Sequence, residues 1–211
     1  INIGSALRKG QRMLRPAHIG HLALLRSLIR DAARDGAFDP ELAWDSPASD
    51  RFFTELRQAL KTGYFVVADA GTGALRTVSV PGYVYWPDDD SGAAPVGFGI
   101  FRALGNGYEL WLAGLEASLR GKGHGRAMLD ALFATPTGRE TRYMRVRRAA
   151  RHATAIAHLL AEHGFTATRE THNETWFVRV AGRRPAAPIT RSSGAVVATD
   201  GLPAAKPART H

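Results

Sequence analysis

The sequence predicts a mixed α/β domain, and three observations carry that prediction. An apolar, strand-like run from Tyr108 to Ala117 leads into the glycine-rich stretch Arg120-Gly121-Lys122-Gly123-His124-Gly125, and an amphipathic helix follows it. Across the C-terminal half the order is strand, glycine-rich loop, helix, strand, helix, strand. With 211 residues, 45% of them hydrophobic, there is material for one substantial core.

A polar leader over residues 1–10 precedes Gln11 to Arg15, read as an edge strand that Pro16 ends. Leu22, Leu25, Leu28, Ile29 and Ala32 recur at helical spacing, and Gly36 is the stop signal. A second helix begins around Ser46-Pro47 and Ser49, shows Phe52, Phe53, Leu56 and Leu60 on one face, and ends at Gly63. Tyr64 to Asp69, Thr77 to Val80 and Tyr83 to Trp86 read as strands between Gly- and Pro-containing turns. The loop from Pro87 to Pro95 carries Asp88, Asp89 and Asp90, without the alternating spacing and distal glutamate of a calcium loop, so a solvated tip is expected and no metal.

Val96 to Ala103 and Tyr108 to Ala117 form two strands joined through Gly105-Asn106-Gly107, a hairpin signal. The helix after the glycine-rich loop buries Met128, Leu129, Leu132 and Phe133 and stops near Pro136. A strand from Thr141 to Arg148, a helix from Ala153 to Glu162 with Ile156, Leu159 and Leu160 inward, and a strand from Thr175 to Val180 close the domain. From Gly182 to His211 the chain is rich in Pro, Ala, Ser, Thr and Gly and lacks aromatics. It carries Arg183, Arg184, Arg191, Lys206 and Arg209 against Asp200 alone, the composition of a disordered basic tail. The expected organisation is a leader over 1–10, one domain over 11–181 and a tail over 182–211.

The absence of cysteine excludes a disulfide framework, a thiol nucleophile and a cysteine-ligated zinc site. No hydrophobic run is long enough to span a membrane, and no signal-peptide layout opens the chain, so a cytoplasmic protein is expected. Much of the net charge of +9 lies in the tail. His152, His158 and His163 do not form a metal-ligating spacing.

The glycine-rich stretch reads as an anion site. Glycines at alternate positions let the backbone curl so that successive N–H groups face one ligand, and the helix from Gly125 aims its positive dipole end at the same point. A Walker loop requires Ser or Thr after Gly-Lys, where Gly123 stands; a dinucleotide fingerprint requires Gly or Ala at Arg126 or Met128. The run instead resembles the Arg/Gln-x-x-Gly-x-Gly/Ala signature of the GNAT superfamily of acetyl-CoA-dependent N-acetyltransferases, with Arg120, Gly123 and Gly125 in the signature positions.

That resemblance implies a mostly antiparallel central sheet with flanking helices and a strand, phosphate loop and helix holding acetyl-CoA as cosubstrate. It places the cofactor on Leu115, Ala117, Arg120, Gly121, Lys122, Gly123, His124, Gly125 and Arg126. Leu115 stands five positions before Arg120, where the family's strand backbone bonds the pantetheine arm and the acetyl carbonyl. Ala117 stands where many members have proline. His163-Gly164-Phe165 looks like the Gly-Phe that closes the family's last helix. The resemblance makes Glu109 the first candidate base and Glu116 the second. The family's asparagine early in that helix and its thiolate-protonating tyrosine are replaced by Ala153 and Leu160, which leaves Tyr143 or His158 as stand-in acids or the thiolate to leave unprotonated. Arg142, Arg145, Arg147, Arg148 and Arg151 form a cluster open to an acidic substrate, the cofactor's ribose phosphate, or neither. The implied acceptor is an amine on a small molecule, a protein or an aminoacyl-tRNA, with a homodimer among the expected partners. The competing reading is a catalytically degenerate GNAT fold that binds coenzyme A or a partner.

Overall fold

The structure is a computed structural model and describes residues 14–68, 73–87 and 94–179. The polar leader, Asp88 to Asp90, the tail and most of the Gln11 to Arg15 strand lie outside the described residues. The elements are β1 (Leu14–Pro16), α1 (Leu22–Arg34), α2 (Pro47–Thr62), β2 (Tyr64–Ala68), β3 (Leu75–Ser79), β4 (Gly82–Tyr85), β5 (Gly97–Leu104) and β6 (Gly107–Leu115), followed by α3 (His124–Ala134), α4 (Pro136–Arg139), β7 (Thr141–Arg147), α5 (Ala153–Glu162), β8 (Phe165–Glu170) and β9 (Glu174–Arg179). The main sheet has the order β1-β4-β5-β6-β7-β9-β8, and β2 and β3 pair in a separate ribbon. Every neighbouring pair is antiparallel except β6 and β7. This is the mostly antiparallel mixed sheet that the family resemblance implies.

Local signals fix the helices. The Ser46 hydroxyl accepts from the Ser49 amide at 3.1 Å, Pro47 sits where a missing N–H costs nothing, and Gly63 ends α2 in the left-handed region at φ +76°. Helix α1 buries Leu25, Leu28, Ile29, Ala32 and Ala33; of the stripe read from the spacing, Leu22 at the first turn is only partly buried, and Ala33 joins it. One core lies between α1, α2 and the sheet, around Ile29, Leu56, Val84, Phe98 and Ile100. The second lies on the opposite face beneath α3 and α5, around Phe101, Leu110, Leu129, Leu132 and Leu160.

Two elements differ from the sequence reading. Strand β8 carries no apolar alternation, because only Phe165 of its residues is buried; its pairing with β9 at the sheet edge, not a buried face, makes it a strand. Pro136 does not simply end a helix: Thr135 accepts from the Gly138 amide at 2.9 Å and caps the new turn α4.

The feature that positions the site is a parting of strands. Tyr108, Glu109 and Leu110 of β6 pair with Thr141, Tyr143 and Met144 of β7, and no pairing joins the two strands beyond them. Opposite β5, the partner of Ile100 is Leu112 and that of Phe101 is Leu110, so Trp111 is an extra residue in β6. Such a bulge bends the strand that holds it. The remainder of β6 thus runs beside β5 alone, with an open edge toward β7.

Candidate functional site

The glycine-rich loop stands at the end of that open edge. Gly121 and Gly123 adopt φ of +74° and +87°, a conformation that costs an L side chain about 1–2 kcal/mol, so glycine is required at both positions. Gly125 is helical, and a Cβ there would meet no protein atom within 4 Å; the same holds at Gly121 and Gly123. These three positions therefore face open space. Gly123 is the N-cap of α3 and offers no side chain, and no acidic residue lies in the first turn. The first intrahelical bond runs from Ala127 N–H to Gly123 O, which leaves the amides of His124, Gly125 and Arg126 without a helical acceptor. Amides in that state at the positive end of an 11-residue helix suit a phosphate. Lys122 is exposed, and among the described residues no carboxylate pairs with it.

Neither flanking arginine points its charge at the loop as the sequence suggests. Arg120 donates from Nε to the Leu115 carbonyl at 3.1 Å and from Nη1 to the Asp35 carboxylate, so its side chain braces β6 against the end of α1. Arg126 pairs with Glu162 of α5, Nη2 to Oε1 being 2.9 Å, and hydrogen bonding from Arg126 holds the Glu162 carboxyl below its usual range. The Arg126 amide is one of those without a helical acceptor, whereas the Arg120 amide donates to the Ala117 carbonyl at 3.2 Å. His124 opens α3 half-buried, and Ala117 begins a short turn over Ala117–Leu119 with its side chain exposed.

Glu116 N–H donates to Val96 O at 2.8 Å, across the β5 side. Main-chain direction alternates along a strand, so Leu115 and Ala113 turn their N–H and C=O groups toward the parted edge. The Leu115 carbonyl is held by Arg120, and its amide remains as a donor facing the opening. Glu116 itself is exposed and accepts from Ser118 Oγ at 2.8 Å.

Glu109 is not placed to act as a base. It is 1% exposed, accepts from Arg102 Nη2 at 2.5 Å and from Arg145 Nε at 2.6 Å, and six residues of strand, about 20 Å, separate it from Leu115. The pairing extends outward: Arg102 lies over the Trp111 ring at 5.3 Å, Arg145 over Trp176 at 5.1 Å, and Arg145 reaches Glu174. Despite burial, Glu109 holds the Arg145 guanidinium above its usual range. The arginine cluster is thereby divided, with Arg145 turned to Glu109 and Arg148 to Glu170.

Of the stand-in acids, Tyr143 lies away from the loop, and His158 meets Arg126 only through Glu162. Tyr143 pairs with Glu109 in register and sends its hydroxyl toward the Gly105 turn, while His158 is exposed and faces Glu162. Leu160 is fully buried in the core beneath the sheet and carries no proton it could give to a thiolate. Among the described residues no group of His, Asp or Glu is arranged to hold a metal.

By sequence, no protein-family model and no curated protein matches the chain. By structure, it is similar to the PaiA N-acetyltransferase of Thermoplasma acidophilum, solved with coenzyme A, at 13% identity over 79% of this chain and 96% of that one, TM-score 0.50. It is similar to a ribosomal-protein-alanine N-acetyltransferase from Brucella melitensis at 16% identity, 80% and 99% coverage and TM-score 0.51. The chain has the GNAT fold. A chimera of the spermidine N-acetyltransferase SpeG from Vibrio cholerae with hSSAT shares that fold at 16% identity, 80% and 94% coverage and TM-score 0.50. Among the described residues, no helix is long and apolar enough to cross a membrane.

Proposed function

We propose that this chain is an N-acetyltransferase that moves an acetyl group from acetyl-CoA to a primary amine by direct attack. The observation that carries this reading is the uncapped N-terminus of α3, preceded by two left-handed glycines and set at the mouth of the parted β6 edge. The donor set fits the proposed cosubstrate: free amides at His124, Gly125 and Arg126 with Lys122 for the phosphates, and a strand edge at Ala113 and Leu115 for a pantetheine amide chain. The coenzyme A printed for the Thermoplasma acidophilum neighbour supports the same assignment. Acetyl-CoA supplies an activated thioester when bound.

The chain's own residues then have three tasks. The loop amides hold the phosphates, and the Leu115 amide orients the acyl end and donates toward developing oxyanion charge. Glu116, one residue beyond Leu115 and open to solvent, takes a proton from the substrate ammonium, directly or through water, and the neutral amine then attacks. With Leu160 buried, the leaving sulfur takes its proton from solvent, which a thiol of pKa near ~8.5 permits. The acceptor class is a primary amine, in keeping with the spermidine and ribosomal-protein acceptors named for two neighbours. The buried Leu160 is the one feature that favours the second reading, a coenzyme A-binding module without turnover.

Calorimetric titration with acetyl-CoA, followed by thiol release with a panel of polyamines, aminoacyl compounds and peptide N-termini, tests both. Binding with turnover supports the enzyme, binding without turnover the module, and no binding by well-folded protein refutes the site.

A further inference from the structure

Asp35 joins three parts of the protein at the mouth of the opening. It caps the C-terminal end of α1, and its carboxylate pairs with Arg120 across 85 positions of sequence. Arg120 in turn holds the Leu115 carbonyl at 3.1 Å, so the side chain of Asp35 reaches the end of β6 through one intermediary. The main chain of Asp35 reaches the opposite lip: its carbonyl accepts from Arg151 N–H at 3.0 Å, in the turn that follows β7. The next residue, Gly36, has φ +76°, and a Cβ there would lie 2.5 Å from the Ala149 carbonyl oxygen, so α1 is seated against that turn too closely for any side chain. Both Asp35 and Arg120 are largely shielded, with side chains 27% and 22% exposed, where an ion pair is screened less than at an open surface.

We infer that Asp35 is a positioning residue for acetyl transfer, tying α1 to both lips of the β6 and β7 opening and so fixing where the Leu115 amide and the loop amides stand relative to each other. The inference rests on the proposed function and adds a residue to it. The physical argument is geometric. Strands β6 and β7 share no hydrogen bonds beyond Leu110, so the ladder does not set the separation of their ends. The Asp35 junction supplies the missing constraint, with a charged bond to one lip and main-chain contact to the other. Arg120 contributes through the same junction, since its bond to the Leu115 carbonyl fixes the peptide unit between Leu115 and Glu116, which adjoins the one that carries the Leu115 amide.

The test compares Asp35→Asn, Asp35→Glu, Arg120→Gln and the double variant Asp35→Asn/Arg120→Gln, each first verified by circular dichroism and thermal unfolding. Asp35→Asn is expected to raise the dissociation constant for acetyl-CoA about tenfold and to lower kcat further, while leaving KM for the amine nearly unchanged. Asp35→Glu, which retains the charge, restores most of the loss. The double variant is expected to cost no more than Arg120→Gln alone, because the two residues act through one junction. A ligand-free readout accompanies these: amide hydrogen exchange at Arg151 should accelerate in Asp35→Asn, because that amide donates to the Asp35 carbonyl. Wild-type affinity for acetyl-CoA in Asp35→Asn together with unchanged exchange at Arg151 overturns the inference, as do strictly additive losses in the double variant. Failure of the wild-type protein to bind acetyl-CoA refutes the functional reading instead, and the exchange measurement then decides the junction by itself.

Discussion

Gly125→Leu separates binding from folding more cleanly than any other change in the loop. Gly125 lies inside α3 with helical backbone, and nothing in the protein lies within 4 Å of a Cβ placed there. The substitution therefore carries neither the left-handed penalty of Gly121 and Gly123 nor a clash. Replacing a helical glycine contributes up to about 1 kcal/mol, less in a first turn, so stability should be unchanged or rise, with Tm moving up by at most about 2–4 °C. The side chain projects into the open space over the uncapped amides. Losing two charge-assisted bonds worth about 1.5–3 kcal/mol each weakens binding by on the order of a hundredfold or more. The assay is thermal unfolding with and without acetyl-CoA. Wild type at about a hundred times its dissociation constant should gain ~2.7 kcal/mol, and the variant at the same concentration almost nothing. An undiminished ligand shift in a folded Gly125→Leu protein would falsify the placement of the phosphates at the α3 N-terminus.

Glu109→Gln should act on stability and not as the loss of a base: it leaves Arg102 and Arg145 facing an uncharged amide. The cost is about 3 kcal/mol, the low end for a broken buried pair, because the arginine side chains keep 24% and 26% exposure. Denaturant unfolding measures it, and wild-type stability combined with a large loss of turnover would return Glu109 to the chemistry. Glu162, held by Arg126 below its usual range near 4.5, binds protons more weakly folded than unfolded. Its contribution is present above about pH 4.5 and is lost as pH falls through the folded value, so Glu162→Gln should flatten the acid-side slope of Tm against pH, slightly because the pair is exposed. An identical slope in the variant rules out that contribution.

What the sequence by itself determined is the part of this protein governed by neighbours in the chain. The Ser46-Pro47 start and Gly63 stop of α2, the buried stripe of α1, the Gly105-Asn106-Gly107 hairpin and the glycine-rich loop before α3 each depend on backbone dihedrals and bonds spanning a few residues, so they were legible locally. Tertiary structure decided what depends on residues far apart. Strand β8 exists because β9 pairs with it, although its own sequence shows no buried face. Glu109 became a buried ion-pair centre because β5 and β7 bring Arg102 and Arg145 against it, and Arg120 left the phosphate loop for a carboxylate 85 positions away. A charged side chain takes the partner that the fold brings within reach, and no spacing along the chain encodes that partner. The loop's own backbone, set by glycine dihedrals and a helix end, was legible because it needs no distant partner.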